Sequence, residues 1–172
     1  MSDDFTLRQY RQDDSERILR LHEEAMRGVD ALAEESVFAE VLPDDEELDG
    51  DLQTVRETYI EPGGEFLIGE LDGKTVAMGA FKPVDDSVAE IKRMRVDPDH
   101  QRQGYGQQVL DALEAGATER GFAEFVLDTT ARQTGARQLY EANGYREVRR
   151  ETIGEYEVLF YRKSTETASM DQ

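Results

Sequence analysis

V-D-P-D-H-Q-R-Q-G-Y-G, running from Val96 to Gly106, is the stretch that decides how the rest of this chain is read. An extended, partly β-branched run ends at Val96. Pro98 has no N–H and fixes its own φ, so neither a strand nor a helix continues simply through it. Gly104 and Gly106 follow, and then Q-Q-V-L-D-A-L-E-A-G-A-T-E-R has the pattern of a helix. The segment therefore reads as strand, tight loop and helix, with glycines at the helix entrance. The first N–H groups of a helix have no partner inside it. Together with the positive end of the macrodipole they suit a phosphate. Glycine lets the backbone approach that phosphate with no side chain in the way. The loop is not a P-loop, which needs G-x-x-x-x-G-K-[ST]. It is not a dinucleotide fingerprint either, because Val109 stands where the third glycine belongs.

Working outward, Phe5 to Tyr10 reads as a first strand. Asp13 with Glu16 three positions on marks a helix start. Ile18, Leu21, His22 and Ala25 then recur at helical spacing, giving a first helix over residues 14–27. Leu48 to Ile60 is expected to form a second helix, ended by Pro62-Gly63-Gly64. Glu65 to Leu71 and Thr75 to Phe81 form a hairpin around Asp72-Gly73, a turn that needs φ > 0. Val88 to Val96 is the strand feeding the loop. Gly106 to Arg120 is its helix, with Val109, Leu110, Leu113 and Ala117 buried, and Gly121 stops it. Phe122 to Asp128 is another strand. Ala136, Leu139, Tyr140 and Asn143 share a helix face. Tyr145 to Glu151 and Tyr156 to Arg162 make a last hairpin around Gly154. The order is β-α-α-β-β-β-α-β-α-β-β, an α/β (α+β) mixed sheet with helices on its faces. Residues 1–163 are expected to form one domain, and 164–172 a polar, frayed tail.

The chain has 172 residues, 38% hydrophobic and 34% charged, which suits one domain with a sizeable core. The absence of cysteine excludes disulfides, thiolate metal sites and cysteine nucleophiles together. His22 and His100 offer no metal-ligand spacing, so no metal is expected. No apolar run approaches the ~20 residues that span a bilayer. M-S-D-D-F lacks the basic and apolar regions of a signal peptide, so a cytoplasmic location is expected. Net charge is −19, from 39 acidic and 20 basic residues. The only lysines are Lys74, Lys82, Lys92 and Lys163, and acids come in pairs such as Asp13-Asp14 and Asp85-Asp86. A generic acidic surface is the plain reading; adaptation to a high-salt cytoplasm is the sharper one. Either surface repels nucleic acid and anionic lipid, so neither is an expected partner. A homodimer is compatible with this composition.

Gln101, Arg102, Gln103, Gly104, Tyr105 and Gly106 fill the pattern [Q/R]-x-x-G-x-[G/A]. This resembles the acetyl-CoA loop of the GNAT N-acetyltransferase superfamily. The lead-in A-E-I-K-R-M-R-V-D-P is similar to that family's central strand. Gln133, Ala136, Leu139, Tyr140, Gly144 and Tyr145 fill Q-x-x-A-x-x-L-Y-x-x-x-G-[F/Y], common in its final helix. The element order is the family's too, so the resemblance covers nearly the whole chain. It implies a transferase moving an acetyl group from acetyl-CoA to a primary amine, by direct attack in a ternary complex. The acceptor stays open among a small amine, an amino acid and a peptide N-terminus. It also implies that backbone groups of Met94, Arg95 and Val96 hold pantetheine and polarise the thioester, and that residues 101–106 hold the pyrophosphate. Many members carry an asparagine early in the last helix; here Gln133 or Thr134 stands in that place. Tyr140 matches the family's general acid, its plainer reading being a core tyrosine.

Glu90 and Lys92 lie two apart on one strand face, with Val88 and Met94 unless a bulge changes the parity. Glu90 is the candidate general base, acting through water, since a carboxylate raised by burial can take a proton from an ammonium. The alternative is an organising pair with Lys92 or Arg93. The acceptor pocket is expected from residues 22–62 and the last hairpin. A catalytically silent CoA-binding sensor or subunit is the competing function.

Overall fold

The computed structural model describes residues 5–29, 51–131, 133–154 and 156–165. Seven strands form one sheet in the order β1-β2-β3-β4-β5-β7-β6. They are β1 (Phe5–Gln9), β2 (Glu65–Leu71), β3 (Lys74–Pro83), β4 (Val88–Val96), β5 (Glu124–Thr130), β6 (Arg146–Ile153) and β7 (Tyr156–Ser164). Every neighbouring pair is antiparallel except β4 and β5. Helix α1 (Ser15–Val29) and a π-helical turn (Arg56–Ile60) accompany one face. Helices α2 (Tyr105–Glu119) and α3 (Thr134–Ala142) belong to the core of the other.

Strand alternation divides the apolar residues between two cores. Phe66, Ile68, Met78 and Ala80 pack with Ile18, Leu21, Leu52, Val55 and Tyr59 on the α1 face. Leu67, Phe81, Ala89, Ile91, Phe125 and Leu127 pack with Val109, Leu110, Leu113, Ala117 and Tyr140 on the α2 face. Val109, Leu110, Leu113 and Ala117, four of the five buried α2 positions, are those the helical period selects. Asp72 and Gly73 both have positive φ, as the hairpin turn requires.

The expected second helix is described from residue 51 onward. It closes as a wide turn, with Glu61 N donating to Arg56 O at 2.8 Å. The stretch 28–47, including Val37, Phe38 and Pro43, lies outside the described residues from residue 30. The last strand extends past its expected end: Ser164 pairs with Glu124, and Thr165 N donates to Ala123 O at 2.8 Å. Order therefore reaches two residues into the stretch read as a tail; 166–172 lie outside the described residues.

β4 is where the fold departs from simple alternation. Met78 lies opposite Arg95, but Ala80 lies opposite Lys92, so three steps on β4 face two on β3. The extra residue is a bulge with Arg93 at φ 60. Gly79 sits across from it. A Cβ there would meet Val109 Cγ1 at 2.6 Å and Met94 Sδ at 2.7 Å, so only glycine lets α2 and Met94 come this close.

Candidate active site

Pairing between β4 and β5 stops after Glu90 and Val126, although both strands continue. Past that point β4 and β5 no longer bond to one another. The gap between them leads toward Asp97 and the loop into α2. A short 3₁₀ turn (Pro98–His100) is pinned there by Asp97, which accepts from Asp99 N at 3.1 Å and faces His100 Nδ1 at 3.2 Å. Gln101 Nε2 donates to Val96 O at 3.1 Å, tying the loop back to the strand.

The loop has the form an anion needs. Gly104 caps α2 at φ 90, and a Cβ on it would meet nothing within 4 Å. The first turn of α2 brings its N–H groups there without helical acceptors. Gln101, Arg102 and Gln103 are exposed, and Arg102 takes φ 65. Tyr105 differs from the rest of its motif. Its ring is buried and stacks on Phe5 with centroids 4.3 Å apart, so only its backbone is available to a ligand. Gly106 packs between Val96 and Leu139.

The bulge corrects one expected grouping. Val88, Glu90, Lys92 and Arg95 lie on the α1 face, whereas Met94 and Val96 turn to the α2 face. The backbone at Met94–Val96 still borders the gap. Two of its carbonyls accept from side chains: Met94 O from Arg95 NH1 at 2.8 Å, and Val96 O from Gln101. Glu90 is half-buried and forms no ion pair with Lys92 or Arg93. Arg93 is committed elsewhere, donating to Asp51 at 2.9 and 2.6 Å. Tyr59 donates to the same carboxylate, and His22 Nδ1 accepts from Arg95 Nε at 3.1 Å. Burial alone would raise the Asp51 carboxyl, but its bonds from Arg93 and Tyr59 hold it below the usual range.

Tyr140 stands across the sheet from Glu90. Its ring is 6% exposed and packs against Tyr145 and Tyr161, with centroids at 5.7 and 6.4 Å. Its hydroxyl makes no hydrogen bond among the described residues. Burial pushes the phenol up to about 12, with Arg95 opposing and Asp128 adding to the rise. Both of those charges belong to the α1 face of the sheet, on the side opposite the Tyr140 ring. Gln133 precedes α3 and accepts from the Thr129 hydroxyl at 2.7 Å through Oε1.

Sequence reasoning missed Asp128 and Asp51, and it allowed for a bulge in β4 without placing it at Arg93. Asp128 lies on β5 two residues beyond the last pairing with β4, on the α1 face. Solvent reaches it, yet protein crowds its carboxyl, and that confinement raises its pKa against the pull of Lys92. A charged residue ending the polar phase of a strand was the available signal, but only the split gives it meaning. Of the acids in the stretch expected to form the acceptor pocket, Glu34 and Glu35 lie outside the described residues, and Glu61 is on an exposed turn.

A family model described as Acetyltransferase (GNAT) family matches residues 17–145. N-acetyltransferase 8 of Homo sapiens is 31% identical over 102 residues, covering 56% of this chain and 45% of that protein. The chain thus spans under half the length of the curated relatives it matches. A GNAT-family acetyltransferase from Staphylococcus aureus Mu50 superposes with a TM-score of 0.77 at 17% identity, covering 94% of this chain and 99% of that one. PaiA N-acetyltransferase from Thermoplasma acidophilum, solved in complex with coenzyme A, gives 0.75 at 19% identity, covering 95% and 99%. At such identities the structural likeness concerns the fold alone.

Proposed function

The chain belongs to the GNAT family of acetyltransferases, and on that premise we propose that it transfers an acetyl group from acetyl-CoA to a primary amine. The observation that carries this reading is the gap opened where β4 and β5 stop pairing after Glu90. It has a glycine loop and helix N-terminus at one end, a phenol on one face and carboxylates on the other. A thioester arm laid in the gap can present its carbonyl to an amine arriving from the α1 face.

The chemistry then needs no covalent enzyme intermediate. The amine nitrogen attacks the thioester carbon, and the C=O π pair moves to oxygen. Backbone N–H groups bordering the gap at Met94–Val96 stabilise that oxyanion. Glu90 takes the amine proton through water. Collapse re-forms the carbonyl and breaks the C–S bond, and the Tyr140 hydroxyl gives its proton to the departing thiolate. Gln101, Arg102, Gln103, Gly104 and Gly106, with the Tyr105 backbone, hold the pyrophosphate, and the Gln133 amide meets the pantetheine. The test is release of free thiol from acetyl-CoA across a panel of amines. Acetyl-CoA binding without thiol release for any amine would leave a silent CoA-binding module instead.

A further inference from the structure

Beyond Glu90 and Val126, the next residues on the α1 face are Lys92 of β4 and Asp128 of β5. They flank the open gap at the side where an acceptor enters. Each feels the other's charge, yet they form no ion pair or hydrogen bond with each other or with any other described residue. Glu90, two residues before Lys92 on the same face, does not pair with it either. Several other charges in the sheet are joined, although among the described residues Lys82, directly across β3 from Glu90, is not. Arg93 grips Asp51, Arg8 grips Asp14 and Glu70, Arg162 meets Glu124, and Lys163 meets Glu114. Arg95, on the same face, bonds His22 and its neighbouring carbonyl.

Opposite charges on the two lips of a cleft match a ligand that carries an ammonium and a carboxylate on one carbon. An α-amino acid does so. We propose that the acceptor is a free α-amino acid, its ammonium received by Asp128 and its carboxylate by Lys92. This rests on the transferase reading above and narrows its acceptor. A peptide N-terminus has an amide where Lys92 expects a carboxylate, and a simple amine has nothing there. Asp128 holds the ammonium beside the gap until its proton passes to the base. The amino group then stays on the α1 face, on the side of the sheet opposite the ring of Tyr140.

The experiment compares kcat/KM for amino acids, their α-amides and their decarboxylated amines, with wild type, Lys92→Gln and Lys92→Arg. The wild type should prefer an amino acid over its amide by at least about tenfold, the scale of one charge pair at a partly desolvated site. Lys92→Gln should remove that preference by raising KM for the acid while leaving the amide unchanged. Lys92→Arg should restore it. Lys92 has no ion pair or hydrogen bond among the described residues and is half-exposed, so melting temperature should not move, and a structural role cannot imitate a change in preference. Equal use of acid and amide by the wild type, or an equal loss of both in Lys92→Gln, would overturn the proposal. Acetylation of simple amines but not amino acids would overturn it while leaving the transferase reading intact. Thiol release with no acceptor of any class would overturn both.

Discussion

Replacing Tyr140 with phenylalanine separates a proton donor from a packing residue more cleanly than any other change in this protein. The ring contacts with Tyr145 and Tyr161 survive, because phenylalanine fills the same space. The hydroxyl makes no hydrogen bond among the described residues, so the usual loss of about 0.5–1.5 kcal/mol per bond does not arise. Stability should stay within about 0.5 kcal/mol, or roughly 1–2 °C in Tm for a chain of this size. Turnover should fall about 10²-fold or more, since a positioned acid contributes 10²–10⁴, and 10² corresponds to about 2.7 kcal/mol of barrier. With its phenol near pH 12, Tyr140 remains protonated across the working range. The wild-type rate should therefore show no alkaline limb from this group between about pH 8 and 10. Thiol release, acetyl-CoA affinity and thermal unfolding are measured on one preparation. Wild-type turnover in Tyr140→Phe would refute the donor role. A several-degree drop in Tm with turnover per folded molecule intact would show a structural residue instead.

Gly104→Val should weaken acetyl-CoA binding at least tenfold by calorimetry, because Gly104 holds φ 90, a region costing other residues about 1–2 kcal/mol, and a side chain there would fill the open space proposed for the phosphate. Unchanged affinity would remove the loop from the site. Acid should destabilise the protein through Asp14: burial alone would raise its carboxyl, but Arg8 hydrogen bonds at 2.8 and 2.9 Å outweigh that and lower it. A lowered folded pKa gives stability that is present above the unfolded value, about 3.9, and is lost as pH falls through the folded one. Asp14→Asn should flatten the stability curve below pH 4, and an unaltered slope in denaturant titrations would contradict the assignment. Stability should also rise with KCl into the molar range, since at 1 M the Debye length is about 3 Å and a net charge of −19 is screened; a flat or falling Tm would speak against salt adaptation.

What the sequence made legible was what depends on local pattern. The 3.6-residue period at Val109, Leu110, Leu113 and Ala117 selected the buried stripe of α2, and Asp72-Gly73 located its hairpin, because each signal lies within a few residues. The loop at 101–106 was readable for the same reason, except that Tyr105 turned out to be anchored in the core by Phe5, a partner 100 residues away. Long-range placement was not readable. That Asp51 would reach Arg93, 42 residues on, has no local signature. Asp128 gains its meaning only from where β4 and β5 part, which depends on the register of two strands separated by a helix. The sequence allows for a bulge in β4, but nothing in R-M-R places it at Arg93, so only the structure assigns Met94 its face.

That bulge is also what lets one strand serve two sides of a reaction. With unbroken alternation, Met94 and Val96 would share a face with Glu90 and Lys92, and Arg95 would be driven under α2, among Val109 and Leu113. An unpaired guanidinium in that core would cost several kcal/mol. Inserting one residue at Arg93 reverses the parity beyond it. Apolar Met94 and Val96 then pack beneath α2, while Arg95 stays with Lys92 and Glu90. The left-handed backbone of Arg93 costs about 1–2 kcal/mol. It is held by the two-pronged bond to Asp51, and Gly79 leaves room opposite. Asp51 belongs to the segment that leads into the π turn, so the same ion pair fixes the acceptor-side wall to the strand. Strand geometry, core packing and the charge pattern at the gap thus hang on one extra residue. Changes at Arg93 or Asp51 should therefore act on the proposed acceptor side through the geometry of β4.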